Sequence, residues 1–237
     1  RCILTSDDSP ITTLSDLRGK RIGLSGWQDS GNTWTRALLL EAGVPVDSIQ
    51  WTLSRITAAD RIDPERGKQF WDDRVVFHDP DETPLVDLLK AGKIDAIFQA
   101  FMPADFYSEG YGLRQLQPDF VSQEKAWFGR AGFVPGIHIL AMKADFIAAH
   151  PEAPRQLCEL LRDSQNLWLA KRRKYFETTP WLIADLIDMA KSLPEDWDPV
   201  GLEPNRRMLD EFARQQYLQK LTPVQRDADF LFPVKTI

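Results

Sequence analysis

The chain has 237 residues, with 29 Lys and Arg against 35 Asp and Glu, for a formal charge of −6. An acidic balance lacks the basic footprint of a nucleic-acid binder, and 43% apolar with 27% charged residues is the composition of an ordinary globular protein, not of a disordered or fibrous one. No stretch reaches the roughly 18 consecutive apolar residues that a membrane-spanning helix needs.

The first residues, Arg1 to Thr5, have neither the apolar core nor the small-residue cleavage site of a signal peptide. Leu14 to Lys20 form a polar turn that feeds a short buried strand, Arg21 to Leu24. Ser25 to Gly31 make a loop of small and polar residues. From Asn32 to Ala42, Trp34, Ala37, Leu38 and Leu40 recur at helical spacing until Gly43 and Pro45 stop the helix.

A second strand is expected at Ile49 to Leu53, then a charged, turn-rich insertion from Arg55 to Asp73 that reads as surface loop, then a strand at Val75 to Phe77. Leu85, Val86, Leu88 and Leu89 give an apolar helical face that Gly92 ends, and Ile94 to Phe98 is another buried strand. Strands alternating with helices predict parallel pairing and α/β layers. Asp119 to Arg130 reads as a helix and Gly136 to Met142 as a last strong strand. Beyond Asp145 the pattern is helical, with breaks at Pro154, Pro180, Pro194 and Pro204.

Cys2 and Cys158 allow at most one disulfide and have no metal-ligand spacing, so both read as free thiols. His78, His138 and His150 are scattered, and neither a metal nor a cofactor is expected. The run His78-Asp79-Pro80-Asp81 reads as a loop cap in preference to a metal site.

Two ordered patterns, Asp16 to Gly23 and Leu88 to Ala96, resemble the second lobe of type 2 periplasmic binding proteins. The segments Phe133 to His138, Thr179 to Leu182, Gly201 to Arg206 and Asp229 to Pro233 then follow one another as in 4,5-dihydroxyphthalate decarboxylases and their relatives. The resemblance implies an α/β, two-lobed type 2 periplasmic-binding-protein-like fold with mixed sheets and flanking helices. It makes residues 1–11 a crossover strand, 12–132 the second lobe, and 133–237 the return strand and helical part of a first lobe. The opening βαβ portion of that lobe is expected to precede Arg1.

Ligands of open α/β sheets sit beyond the carboxyl ends of the strands, and three segments meet that condition. In the first, Trp27 offers an aromatic face, Gln28 an amide, Ser30 a hydroxyl, and Gly31 and Asn32 backbone N–H groups at a helix start, which attracts anions. Alternatively Trp27 is core and Ser30 or Asn32 only caps the helix. The second is Gln99 with Phe101, where the resemblance implies an Arg at position 101; Phe101 either stacks on an aromatic ring or belongs to the core. In the third, the resemblance implies catalytic roles for Arg130, holding a carboxylate, and His138, carrying a proton. The structural alternatives are a helix-end charge for Arg130 and a strand imidazole for His138.

Two functions share such a cleft. One is a cofactor-independent, cytoplasmic decarboxylase of a hydroxylated aromatic carboxylate. The other is a periplasmic solute-binding protein that delivers an aromatic, sulfonate or similar small anionic ligand to an ABC permease.

Overall fold

The computed structural model describes residues 3–63, 65–70, 76–79, 81–172, 174 and 180–234. Arg1, Cys2, Asp73, Val75, Pro80 and Thr179, named above, lie outside them. The chain divides into two compact units, the first formed by Arg1–Glu124 with Arg214–Gln225 and the second by Lys125–Ala213 with Arg226–Ile237.

Unit 1 is an α/β layer structure on a six-stranded mixed sheet. Its strands are β1 (Ile3–Ser6), β2 (Arg21–Leu24), β3 (Gln50–Leu53), β4 (Val76–His78), β5 (Ala96–Phe98) and β6 (Leu113–Gln115), in the order β4-β3-β2-β5-β1-β6. Pairing is parallel from β4 through β3 and β2 to β5, whereas β1 runs antiparallel to both β5 and β6. The expected parallel core is therefore present, and β6, a strand of only Leu-Arg-Gln, was not legible in the sequence.

Alternation of side chains along the strands builds one apolar cluster on each face. Ile22, Leu24, Trp51, Leu53 and Phe98 join one cluster, with Leu39 of helix α1 (Ser30–Glu41). Leu4, Ile97 and Leu113 join the other, with Leu85, Val86 and Leu89 of helix α2 (Leu85–Lys90). Gly23 lies under α2, because a Cβ there would stand 2.6 Å from Leu85 Cδ2 and 2.8 Å from Ile94 Cδ1. At the far end of the central strands, the Asp95 carboxylate accepts from the Arg21 backbone N–H at 2.9 Å, from its Nε at 3.0 Å and from Nη2 at 2.6 Å, which fixes the β2–β5 register.

Because β2 leads to β3 on one side while β5 inserts on its other side, the carboxyl ends of β2 and β5 flank the point where the chain reverses its direction across the sheet. That is where ligands of such sheets bind. An anchor for α1 comes from late in the chain: the Arg36 guanidinium donates from Nε to Gln219 Oε1 at 2.7 Å, and Gln219 Nε2 donates to the Thr33 carbonyl at 2.9 Å.

Unit 2 is helical, with most of α3 (Phe120–Ala131), α4 (Ala144–Ala149), α5 (Ala153–Arg172), α6 (Leu182–Ser192), much of α7 (Leu202–Leu218) and α8 (Ala228–Leu231). Pro154 and Pro204 do not break helices; they sit in the first turns of α5 and α7, where a missing N–H costs nothing. The strand expected at Gly136 to Met142 is not formed. Residues 134–143 join no ladder, and Ile139 and Leu140 are 69% and 65% exposed. A strand exists through its hydrogen-bonded neighbours, and unit 2 holds no described strand to supply them. Among the described residues no helix is long and apolar enough to cross a membrane.

Candidate functional site

Beyond the carboxyl ends of β2 and β3 lies a cavity of about 430 Å³, within the size range of small-molecule sites. Ser25 and Gly26, following β2, and Leu53, ending β3, line its base, and Gln28 and Asp29 form one wall. The opposite wall is Arg61, Ile62, Asp63 and Arg66, all from the insertion that the sequence presented as surface loop.

That insertion is held by its own turn chemistry. The Asp60 carboxylate accepts from the Thr57 N–H at 2.8 Å, and Asp63 Oδ1 accepts from the Glu65 N–H at 3.1 Å. It is then tied to the β2–α1 loop at three points. The Trp27 indole N–H donates to the Phe70 carbonyl at 3.1 Å. Arg66 Nη2 stands 3.5 Å from Asp29 Oδ1. With its amide oriented to satisfy both partners, Gln28 accepts from Arg66 Nε at 2.8 Å and donates to the Arg66 carbonyl at 3.2 Å.

Glycine makes two of these contacts possible. A Cβ on Gly67, whose φ is +82°, would meet the Gln28 side-chain amide at 2.1 Å, and one on Gly26 would meet Asp29 Oδ2 at 2.3 Å. The side chains of Gln28 and Asp29 thus lie directly on bare backbone. The sequence signal was there, in Arg66-Gly67, but it marks only a turn until the fold brings Gln28 over it.

Among the first group of candidate residues, Trp27 is a core residue: it is 4% exposed, meets Trp51 edge-on with centroids 5.5 Å apart, and has the Arg36 guanidinium 4.2 Å above its ring. It therefore presents no free aromatic face, and the structural alternative is the one realised. Asn32 is buried and turns back to donate from Nδ2 to the Gly26 carbonyl at 2.8 Å, holding the loop rather than facing outward. Gln28 lines the cavity, and Ser30 and Gly31 open α1 immediately after its Asp29 wall.

Arg36 braces the same loop from beneath. It is fully buried, and Nη2 donates to the Trp27 carbonyl at 2.7 Å. Burial pushes its pKa down to about 9, with the Asp29 charge opposing, so it remains a cation at neutral pH.

Gln99 follows β5 at the reversal point, is 6% exposed, and its Oε1 has no hydrogen-bond partner among the described residues. Phe101, two residues on, is 83% exposed; it is neither core nor covered by any described neighbour. Arg130 and His138 belong to unit 2. Arg130 lies in the last turn of α3 and donates from Nη1 to the Ala126 carbonyl at 3.2 Å, a helix-end placement. His138 is exposed on the irregular segment that replaces the expected strand, with no hydrogen-bond partner among the described residues, so it is not the strand imidazole of the structural alternative.

Among the described residues no group of three or more His, Cys, Asp or Glu could hold a metal ion. Asp79 instead accepts from the Thr83 N–H at 2.7 Å as a loop cap, and Cys158 is a free thiol.

Comparison with known proteins agrees with the sequence patterns. Residues 1–63 match the family model described as NMT1/THI5 like. The chain is 24% identical over 219 residues to a 4,5-dihydroxyphthalate decarboxylase of Comamonas testosteroni, covering 91% of this chain and 66% of the relative. It is 29% identical over 105 residues to a 4,5-dihydroxyphthalate decarboxylase of Pseudomonas putida, covering 44% of this chain and 40% of that protein. It therefore spans slightly less than two thirds of the first relative, and its match to the second covers a smaller part. The crystal structure of the periplasmic aliphatic sulphonate binding protein SsuA from Escherichia coli aligns at a TM-score of 0.41 and 19% identity, over 96% of this chain and 63% of that one. Along 91% of its length this α/β chain is thus similar to 4,5-dihydroxyphthalate decarboxylases, and its first 63 residues carry the NMT1/THI5-like pattern.

Proposed function

We propose that the protein is a decarboxylase-like member of this group, acting on a hydroxylated aromatic carboxylate of the 4,5-dihydroxyphthalate type. The observation that carries the reading is the similarity to a named decarboxylase across 219 residues. The cavity at the carboxyl ends of β2 and β3 supports it, since Arg61 and Arg66 suit a carboxylate.

In such a reaction the bond between ring carbon and carboxylate breaks, CO2 departs, and the electron pair left on the ring carbon takes a proton. The phenolate oxygen para to that carbon supplies electron density to it by resonance. His138 is the proposed proton carrier, supported by an imidazole with no described partner, and Arg130 is proposed to hold the retained carboxylate. No cofactor is invoked, and the reading places the protein in the cytoplasm.

The second reading is a solute-binding protein that holds a small aromatic or anionic ligand and passes it to an ABC permease from the periplasm. One observation favours it: the titratable groups lining the cavity are two Asp and two Arg, which bind charge but include no His, Cys, Lys or Tyr to move a proton.

A proton NMR time course with 4,5-dihydroxyphthalate separates the two. Its two equivalent ring protons give one singlet, and decarboxylation replaces it with the three-proton pattern of 3,4-dihydroxybenzoate. Broadening of the singlet without new signals would refute catalysis on this compound and support binding. His138→Ala should abolish turnover while ligand affinity stays within about tenfold, or about 1.4 kcal/mol; surviving turnover would exclude His138 as the proton carrier.

A further inference from the structure

We propose that an anionic ligand enters the cavity by taking the place of the Asp29 carboxylate on Arg66 while pairing with Arg61, so that Asp29 is a built-in competitor that sets the charge of the ligand. The proposal rests on the reading of this cavity as the ligand site, and it specifies the class: a small dianion, such as a dicarboxylate.

Asp29 is placed unusually for its position. It is the N-cap residue of α1, yet its side chain makes no capping hydrogen bond. An N-cap Asp ordinarily turns its oxygens onto the first free N–H groups of the helix. Here the carboxylate lies over Gly26, in space that a Cβ would fill, and stands 3.5 Å from Arg66 Nη2.

The contact it makes there is a weak one. At 3.5 Å, with the two side chains 65% and 33% exposed, the pair belongs to the class whose net contribution is small. A carboxylate docking in a fork on the same guanidinium would sit closer and bond more strongly. Displaced from Arg66, Asp29 stays at the N-cap position of α1, where a carboxylate can accept from the first N–H groups of the helix.

Arg66 is prepared for the exchange. Gln28 holds its Nε and its carbonyl, and Gly67 leaves room for that amide, so the guanidinium keeps its place when Asp29 leaves. Arg61 supplies the second charge. It lines the same cavity, is exposed, and has no hydrogen-bond or ion-pair partner among the described residues. The other carboxylate of the cavity, Asp63, is occupied in capping the Glu65 N–H at 3.1 Å. Once Asp29 swings away, the two guanidiniums can each take one carboxylate of a dianion, with Asp63 as the remaining anion of the lining.

The test is titration calorimetry of the protein with phthalate, with catechol as a neutral probe of similar size. Asp29→Asn removes the competitor and keeps a capping side chain, and it should tighten phthalate binding about fivefold. Arg61→Gln and Arg66→Gln should each weaken it about tenfold. Catechol affinity should move less than about twofold in all three, since it carries no charge.

An Asp29→Asn protein that binds phthalate no more tightly than wild type overturns the exchange, as does an Arg61→Gln protein with unchanged affinity. Arg66→Gln removes tethers of the insertion and can disturb its folding, but Arg61 has no such role, so its variant decides the matter. Turnover is scored separately. This pattern of affinities without conversion of 4,5-dihydroxyphthalate supports the exchange and refutes the decarboxylase reading. Conversion without an Asp29 effect refutes the exchange alone. Failure of wild type to bind phthalate at all overturns the exchange.

Discussion

Replacing Gly23 by Ala should destabilise unit 1 by about 1–2 kcal/mol, for a reason that is wholly geometric. The new methyl would lie 2.6 Å from Leu85 Cδ2, 2.8 Å from Ile94 Cδ1 and 3.3 Å from Leu85 Cγ. Comfortable carbon contacts begin near 3.5 Å, so both neighbours must retreat by several tenths of an ångström or more. Neither can do so toward water, because Leu85 and Ile94 are buried. Overpacking of this kind costs about 1–3 kcal/mol, and the smaller backbone entropy of Ala returns about 0.5–1 kcal/mol.

Gly31→Ala is the internal control. It lies in the first turn of α1 with nothing within 4 Å of the added atom, and should be neutral or stabilising by up to about 1 kcal/mol. Urea unfolding followed by tryptophan fluorescence reads both, since Trp27 and Trp51 are buried together in unit 1. With an m-value near 2 kcal/mol/M, Gly23→Ala lowers the midpoint by about 0.5–1 M. Adding Leu85→Val, which withdraws part of the opposing side chain, should recover a portion of the loss and give a non-additive cycle. A Gly23→Ala midpoint equal to or above wild type would mean that α2 does not press on β2 as described.

Two further outcomes concern the half-buried Asp95 and the fully buried Arg36. Burial raises the Asp95 pKa, but the side-chain and backbone hydrogen bonds from Arg21 outweigh it, and the carboxyl ends below its ordinary value. Its stabilisation is therefore present above the unfolded value near 4 and lost as the pH falls through the lower folded value. Asp95→Asn should cost about 1 kcal/mol at pH 7, and the gap from wild type should close below about pH 4; a gap that widens on acidification would reverse the sign. For Arg36, substitution by Ala strands Gln219 Oε1 and the Trp27 carbonyl and empties the space below the loop, costing about 3 kcal/mol or more. Arg36→Met fills that space and relieves the buried charge, so it should be the milder variant by at least about 1 kcal/mol; equal losses in thermal or urea unfolding would show that the volume is immaterial.

The elements with a strong period and a glycine stop were legible in the sequence. β2, α1, β3, α2 and β5 stand within a few residues of their expected places, because burial on a sheet or helix face leaves its mark on every second or every third and fourth residue. What failed depended on partners distant in sequence. Gly136 to Met142 has the composition of a strand but joins no described ladder, and Leu113 to Gln115 has little strand character yet pairs with β1. Trp27 reads equally as ligand platform or core until Trp51 and Arg36 are seen around it. Arg61 and Arg66 sit in a stretch whose charge and turns mark it as surface, and nothing local says that this surface is a cavity wall.

The pairing of β1 and the Arg36–Gln219 bond also govern the timing of synthesis. Ile3 finds its partner in Phe98, and Arg36 waits for a residue 183 positions later. At about 5–20 residues per second, β1 spends roughly 5–20 s outside its sheet before β5 is made. Unit 1 then closes only when Arg214–Gln225 arrive, after residues 125–213 of unit 2 have been translated. The cavity-bearing unit begins before residues 125–213 and is completed only after them, so a ribosome that stalls within α5 or α6 releases a sheet without the glutamine that anchors α1.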